Sequence, residues 1–427
     1  MEIMIPVPLV VPDEPMAFAQ VEQIVLEWGR RVTRAAVAAA WEAQAALGAA
    51  APCPRCGAPA TRAAGRKPRR IETPVGVVTL HRPRRQCLGC GRRFQPGDDR
   101  LQAAVGNGQL SPALRELAAV CGAGWPYRQA AAVLGRLRGG EPLAPETVRA
   151  VVSRVGARVA AAQEAAAARA CRPGRGPAPA MCLPPPAELV VELDGAWVGA
   201  TDAPHGREVK VGVVHAGSEP VGRTRRALTQ RWYVATARGV ARFEERLTAA
   251  VGRIDGFAAP AQLVLGDGAA WIWRVAADNL PEATQVLDRW HLGQARRRAR
   301  RAALPDKEAR APWSVRIETC LEAGNVPAAI ASVREVQALV PHQALEGFVG
   351  YLTGLAPQIP DYAMRRAGGQ RIGSGGVEKG CDLIVNRRCK GKRGMRWRDD
   401  GLEALIALRL GILNDEWSAY ATAWRSP

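Results

Sequence analysis

The sequence predicts an α/β protein in which the C-terminal half contains a mixed sheet. Apolar and β-branched runs of strand length follow residue 188. They lie at 189–198, 208–215, 231–236, 262–266 and 284–288. A helical pattern at 240–253 separates the third run from the fourth, and another helix separates the fourth from the fifth. Successive strands followed by strands joined through helices predict a mixed sheet rather than a purely parallel one.

Shorter segments precede this sheet. Residues 15–47 carry apolar side chains at helical spacing, and Pro15 suits the first turn of a helix. Residues 169–188 are too rich in Pro and Gly for a helix or a strand, which indicates a linker. We therefore predict an N-terminal helix at 1–50, a zinc-ribbon-like module at 51–100, a helical domain at 108–170, a linker at 171–187, and a sheet domain at 188–427 with a helical insertion at about 292–370.

Two cysteine pairs predict a structural zinc site. Cys53, Cys56, Cys87 and Cys90 form two Cys-x-x-Cys knuckles separated by residues 57–86. Four thiolates presented in pairs suit tetrahedral Zn²⁺, and a fully cysteine-ligated site is structural rather than catalytic. A hairpin around residues 71–83 would fill the long gap. The alternative is four free thiols.

The helical segment has two interpretations. Ser111 and Pro112 provide a capping residue and a first-turn proline, and the pattern breaks at "GAGWP" before two further helices. One interpretation is a helix-turn-helix, with a recognition helix that begins near Pro145 and exposes Arg149 and Arg154. The other is a small three-helix bundle without a role in DNA binding.

Three acidic residues stand where a metal site can form. Asp194 follows the apolar run "LVVEL", Asp267 follows "LVLG", and Glu378 lies near the start of a predicted helix after "GSGG". We expect Asp194 and Asp267 to lie at strand ends. Two aspartates at strand ends and a glutamate on a helix can converge on two divalent cations, and carboxylate oxygens are ligands that Mg²⁺ prefers. Taken singly, each acid is a common turn or surface residue.

The strings around these acids carry a resemblance. "VELDGAWV", "EVKVGVV", "GDGAAWIW", "LDRWH" and "GSGGVEKGCDLIVNRRCKGKRGMRW" are similar to those of bacterial insertion-sequence transposases of the Kra type, the ISKra family. The resemblance covers most of the chain, including the cysteine pairs and the helical segment. It implies a ribonuclease-H-like catalytic domain of the DDE group, in which Asp194, Asp267 and Glu378 are the catalytic acids and metal ligands.

The implied function is DNA transposition. Two Mg²⁺ (or Mn²⁺) ions per active site would support cleavage at the element ends and strand transfer to target DNA, by phosphodiester hydrolysis and transesterification. Two alternatives remain open: an inactive or domesticated transposase-derived DNA-binding protein, and a metal-dependent nuclease without strand transfer.

Asp288 and His291 form an Asp-x-x-His motif. It resembles a motif that follows the second acid in Mutator-like transposases, where it would orient the metal site or a flipped DNA end. The alternative is an aspartate at a strand end and a histidine with an ordinary structural role.

The charge of the chain predicts a polyanionic partner. Lys and Arg number 59 against 40 Asp and Glu, a formal net charge of +19. We expect DNA, both element ends and target, as the partner, no membrane, and a homodimer or higher oligomer on DNA in the bacterial cytoplasm at the nucleoid. The predicted phosphate-binding residues are Arg296, Arg297, Arg298, Arg387, Arg388, Lys390, Lys392, Arg393 and Arg396.

Overall fold

The computed structural model describes residues 2–47, 52–106, 108–140, 142–172, 185–223, 225–304, 307–391 and 394–425. The chain forms two compact units, Met1–Gly156 with Asp415–Pro427, and Ala157–Asn414. The boundary lies inside a continuous helix rather than in the predicted linker at 171–187, most of which is outside the described residues. The last residues of the chain belong to the first unit, not to the predicted sheet domain.

The first unit contains a hairpin and several helices. Its strands are β1 (Thr61–Thr73), β2 (Gly76–Cys87) and β3 (Arg93–Phe94). Its helices are α1 (Phe18–Leu47), α2 (Asp98–Val105), α3 (Pro112–Gly124), α4 (Tyr127–Leu137) and the first part of α5 (Pro145–Ala170). The hairpin is antiparallel and longer than the predicted one, since it extends from Thr61 to Cys87.

Small side chains allow the helices of this unit to pack closely. The Ser111 hydroxyl accepts a hydrogen bond from the Leu114 amide (3.2 Å), which caps α3 where the sequence predicts a helix start. A Cβ added at Gly122 of α3 would lie 2.5 Å from a methyl carbon of Val152, so α3 and α5 are in direct contact there. The break at "GAGWP" separates α3 from α4.

The second unit is built on the predicted sheet. Its strands are β4 (Glu188–Ala200), β5 (Arg207–His215), β6 (Ser218–Val221), β7 (Arg225–Leu228), β8 (Trp232–Thr236), β9 (Ala261–Gly266), β10 (Thr284–Leu287) and β11 (Arg396–Trp397). Its helices are α6 (Val240–Arg253), α7 (Ala270–Asn279), α8 (Arg289–Ala303), α9 (Lys307–Glu322), α10 (Val326–Leu339), α11 (Gln343–Gly354), α12 (Tyr362–Ala367), α13 (Gly375–Cys381), α14 (Arg387–Cys389) and α15 (Asp399–Leu413). A π-helix at Asp382–Asn386 joins α13 to α14. The last helix of the chain, α16 (Trp417–Arg425), belongs to the first unit.

The strand order of the main sheet is β10-β9-β4-β5-β8, and β11 pairs with β4. β4, β5 and β8 are antiparallel neighbours, whereas β4, β9 and β10 are parallel. The sheet is therefore mixed, as the sequence predicts. Helices α8–α12 occupy the interval of the predicted insertion.

Alternation along β4 divides the core of this unit between two faces of the sheet. Leu189, Val191 and Leu193 pack in a cluster with α6 and α7. Val190 belongs to a second cluster with α8–α12, and residue 192 and residue 194 point to that same side because strand side chains alternate. The sheet therefore directs Asp194 away from the α6–α7 layer.

Candidate functional site

The four predicted zinc-binding cysteines lie together. Their sulfur atoms are all within 4.8 Å of one another, and within the described residues no other group of three or more metal-binding side chains is gathered this closely. The Cys53 and Cys90 sulfurs are 3.6 Å apart, as are those of Cys56 and Cys87. These four side chains can hold a structural metal ion such as Zn²⁺.

Backbone amides of the knuckles favour the thiolate form that a metal needs. The Arg55 amide lies 3.5 Å from the Cys53 sulfur and lowers the pKa of Cys53 to about 6. In the second knuckle the Cys90 amide lies 3.5 Å from the Cys87 sulfur and lowers the pKa of Cys87. The second cysteine of the first knuckle differs: the Ala58 amide lowers the pKa of Cys56, but the hydrogen bonds with the Cys90 and Cys87 sulfurs raise it overall to about 12.

Three aspartates follow the last paired positions of three neighbouring parallel strands. Leu193 of β4 pairs with Gly266 of β9, which pairs with Leu287 of β10. Asp194, Asp267 and Asp288 are the residues that follow these three positions in the sequence. The register therefore brings them to one edge of the sheet. The sequence predicted that a strand ends at Asp194. β4 instead continues to Ala200 and stays paired with β5, and only its pairing with β9 ends, at Leu193.

Asp194 is half-buried beside a second acid. Burial and the charge of Asp267 raise its pKa. Its carboxylate accepts hydrogen bonds from the Gly195 amide (2.7 Å) and from the Cys381 thiol (3.4 Å) on α13. The charge of Asp267 beside Asp194 makes this a favourable place for a cation, which would remove the repulsion between the two carboxylates.

Asp288 is buried and joins two parts of the site. One carboxylate oxygen accepts from the amides of Trp290 and His291 at the start of α8. The other accepts from the amide (2.6 Å) and the hydroxyl (2.8 Å) of Ser374, directly before α13. Burial disfavours the charged form, but the hydrogen bonds from His291 and Ser374 outweigh it and hold the pKa of Asp288 well below its usual value.

His291 lies among the acids. Burial lowers its proton affinity, but the hydrogen bond and charge of Asp288, together with the charges of Asp267 and Asp194, raise its pKa overall. The Asp-x-x-His motif therefore places a histidine with a raised pKa next to Asp194, Asp267 and Asp288, the three aspartates of what we call the acidic edge of the sheet.

Glu378 is exposed on the first turn of α13, within electrostatic reach of Asp288, His291 and Asp194. Partial burial and the charge of Asp288 raise its pKa, and Asp194 and Glu192 act in the same direction. The oxygens of Asp194, Asp267 and Glu378 do not all lie within the 4.8 Å that the cysteine sulfurs satisfy. The three acids share one electrostatic environment, with a spacing wider than that of a single-ion cage.

Two residues near the acids were not predicted. Glu192 precedes Asp194 by two positions on the same side of β4 and is 1% exposed. Tyr351 of α11 lies close to the acids, since a Cβ added at Gly268 would be 3.2 Å from the Tyr351 hydroxyl. Glu192 could have been found from the sequence, because a charged residue within an apolar strand is unusual. The sequence contains no corresponding signal for Tyr351.

The predicted phosphate-binding residues divide into exposed and buried groups. Arg298, Arg387, Lys390 and Arg396 are exposed and Arg297 is half-buried, whereas Lys392 and Arg393 lie outside the described residues. Arg296 is buried and donates to the Ser314 carbonyl (2.7 Å) and to Glu318 (2.8 Å). Arg388 is buried with its guanidinium over the Trp397 ring (5.2 Å). The prediction of a DNA-facing position is wrong for Arg296 and Arg388, because both charges are used inside the fold.

The helical segment leaves both proposed recognition arginines, Arg149 and Arg154, exposed on α5. Arg149 pairs with Glu146 at 2.6 Å. In the described parts of the chain, no helix combines the length and the apolar character that a membrane crossing requires.

A mixed sheet with acidic residues at one edge and a separate cysteine cluster defines a protein with two candidate metal-binding sites. A family model described as "Uncharacterised protein family (UPF0236)" matches residues 63–415. The chain therefore belongs to the uncharacterised protein family UPF0236. No curated protein matches the sequence.

Proposed function

We propose that this protein is a DDE-type transposase that binds the ends of its insertion sequence, cuts them and joins the resulting 3′-hydroxyl to target DNA. The observation that carries the proposal is the register that brings Asp194 and Asp267 to one sheet edge, opposite a helix that bears Glu378. The strand order, with three antiparallel strands followed by two parallel ones, supports a ribonuclease-H-like domain.

In this proposal Asp194 and Asp267 hold divalent metal directly, and Glu378 completes the site. The acids fit Mg²⁺ or Mn²⁺, because they offer hard oxygen ligands and repel one another without a cation. Two such ions would activate water or a 3′-hydroxyl and stabilise the leaving oxygen. Asp288 and His291 orient the edge on which the acids lie, and exposed residues such as Arg298 and Lys390 hold the phosphate backbone.

The test is incubation of the purified protein with the DNA that flanks its coding sequence and Mg²⁺, scored for cleaved and joined products. Glu378→Gln keeps the size of the side chain but removes the anionic ligand, so we expect cleavage to fall by about 100-fold or more while DNA binding remains. Asp194→Asn and Asp267→Asn should behave alike, and double variants should add little because the three acids act as one unit.

Matched controls lie away from the acidic edge. Glu282→Gln is the same chemical change at an exposed position before β10, at the opposite end of the parallel strands. Asp278→Asn on α7 is the control for the aspartates. Both should cut like the wild type. Full activity of all three acid variants would contradict the metal-dependent mechanism, and cleavage without joined products would favour a nuclease.

A further inference from the structure

The sheet contains a buried carboxylate–imidazole pair that the proposed chemistry does not use. Glu192 of β4 is 1% exposed and His215, the last residue of β5, is fully buried. The His215 Nε2 atom lies 3.2 Å from Glu192 Oε1. A carboxylate is only an acceptor, so Nε2 carries the proton, and Nδ1 accepts from the Gly217 amide (3.1 Å) when the ring is neutral. A buried charged group costs free energy unless its partners satisfy it.

The second oxygen of Glu192 reaches the start of α13. Oε2 accepts a hydrogen bond of 2.8 Å from the Val377 amide, immediately before Glu378 in the chain. The first residues of a helix have amides without helical partners, and a side chain normally satisfies one of them. Ser374 is in the position to do so, but its hydroxyl donates to Asp288 instead and makes no capping bond. The carboxylate from β4 takes its place.

The packing at this point leaves little space for another arrangement. A Cβ added at Gly376 would lie 2.8 Å and 2.9 Å from the two carboxylate oxygens of Glu192. The carboxylate therefore sits directly under the first turn of α13. The absence of a side chain at Gly376 permits that approach, which accounts for one of the two glycines directly before Val377.

We propose that Glu192, held by His215, is a positioning residue that anchors the first turn of α13 and thereby directs Glu378 toward Asp194 and Asp267. Together with Asp288, which holds Ser374, it attaches α13 to β4 and to the end of β10. The expected effect of this anchor, the Glu192 contact with α13, on metal binding rests on the proposed function. The attachment of α13 itself is independent of any activity.

Two variants of the full chain separate this role from the alternatives. Glu192→Gln keeps an acceptor oxygen for the Val377 amide, and its amide group can donate to His215 if the ring adopts the other tautomer and donates from Nδ1 to the Gly217 carbonyl (2.9 Å). Glu192→Leu keeps the volume but leaves His215 Nε2 without a partner, and it leaves the Val377 amide only its longer hydrogen bond to the Ser374 carbonyl (3.2 Å). We expect amide hydrogen exchange in residues 375–381 to increase in Glu192→Leu and to remain close to wild type in Glu192→Gln.

The second readout is Mn²⁺ binding, measured by electron paramagnetic resonance, with Asp194→Asn as the variant that lacks a ligand. Partners that orient metal ligands typically contribute about 10- to 100-fold in metal affinity. We expect Glu192→Leu to weaken Mn²⁺ binding by about that factor and Glu192→Gln to restore most of it. If Glu192→Gln is as damaging as Glu378→Gln, Glu192 is a ligand and the positioning role is overturned.

The two failures are distinguishable. Unchanged hydrogen exchange in folded Glu192→Leu would overturn the anchor, whatever the wild type does with metal or DNA. Equal Mn²⁺ binding by wild type and Asp194→Asn would overturn the proposed metal site, and increased exchange in the same Glu192→Leu sample would still support the anchor.

Discussion

Asp288 accepts four hydrogen bonds through its two oxygens, two from the start of α8 and two from Ser374. This side chain therefore organises the acidic edge, and its own oxygens are already occupied by protein donors. This role differs from that of a metal ligand, because the charge of Asp288 holds protein donors in place and does not bind a cation. In the proposed mechanism the same distinction separates Glu192, which positions α13, from Asp194, which would hold metal.

Asp288→Asn should destabilise the second unit by roughly 2–3 kcal/mol, since an amide nitrogen would face donors that now meet a charged oxygen. The pKa of Asp288 is lowered in the fold, so its stabilisation is present above the unfolded value of about 3.9 and is lost as the pH falls toward the folded value. Urea unfolding of both proteins should show a difference at pH 7 that narrows below about pH 4. A difference that is independent of pH would contradict the charge-based role.

Arg298 and Arg296 provide a matched pair of arginines two positions apart on α8. Arg298→Ala should weaken DNA binding and reduce the slope of its salt dependence by about one, without a change in stability. Arg296→Ala should cost about 1–3 kcal/mol of stability, because it removes a buried guanidinium that donates to the Ser314 carbonyl and pairs with the partly exposed Glu318. Binding titrations and thermal unfolding of the two variants measure both effects. Equal loss of DNA affinity in folded samples of the two variants would contradict the assignment of Arg298 to DNA binding and Arg296 to stability.

At the scale of elements, short segments position the chemistry. α13 has seven residues, too few for independent stability, so its attachments to Glu192 and, through Ser374, to Asp288 decide where it lies. The knuckles that bear the cysteines are likewise held by the β1–β2 hairpin, which ends at Cys87. In both places local geometry depends on contacts with a longer element.

Gly376→Ala tests the close approach of α13 to the sheet. The added methyl would overlap the Glu192 carboxylate, so we expect a cost of roughly 1–3 kcal/mol and a loss of Mn²⁺ affinity at the acids. Gly375→Ala is the matched control, because a Cβ there meets no atom within 4 Å. Thermal unfolding and Mn²⁺ titration measure the two effects. Identical behaviour of the two variants would show that the close approach is unimportant.

The cysteine cluster should bind about one Zn²⁺ per chain. Cys56→Ser should abolish zinc retention and unfold the region of residues 51–100, because metal binding and folding are coupled in small sites of this type. Cys171→Ser, at an exposed cysteine outside the cluster, should retain the metal. Elemental analysis of the untagged protein measures the number of zinc ions per chain. The absence of zinc in the wild type would contradict the zinc assignment.

At the scale of the whole molecule, charge is the dominant property. With a formal net charge of +19, much of the DNA affinity should come from the release of counterions. Affinity for element-end DNA should therefore fall by at least about tenfold between roughly 50 and 200 mM salt. Fluorescence anisotropy across this range measures the slope. An affinity that barely changes with salt would contradict an electrostatic mode of binding.

Features that depend on local pattern could be predicted from the sequence. The cysteine spacing indicated the cluster, and both ends of each of the five apolar runs lie within two residues of the ends of β4, β5, β8, β9 and β10. The helix start at Ser111 was equally local. These predictions succeed because knuckle turns, strand periodicity and caps are set by neighbours a few positions away.

Other features required partners that are distant in the chain. The burial of Arg296 depends on Glu318, in a different helix, and the position of Asp194 depends on the register of β4 against β9. Likewise, the role of Glu192 appears only once α13 lies on β4, 185 positions later. The sequence by itself determined the classes of element, the cysteine cluster and the candidate acids. Only the tertiary structure decided which acids share an edge, which arginines remain exposed and which carboxylate anchors Glu378, because strand register and helix packing create those contacts.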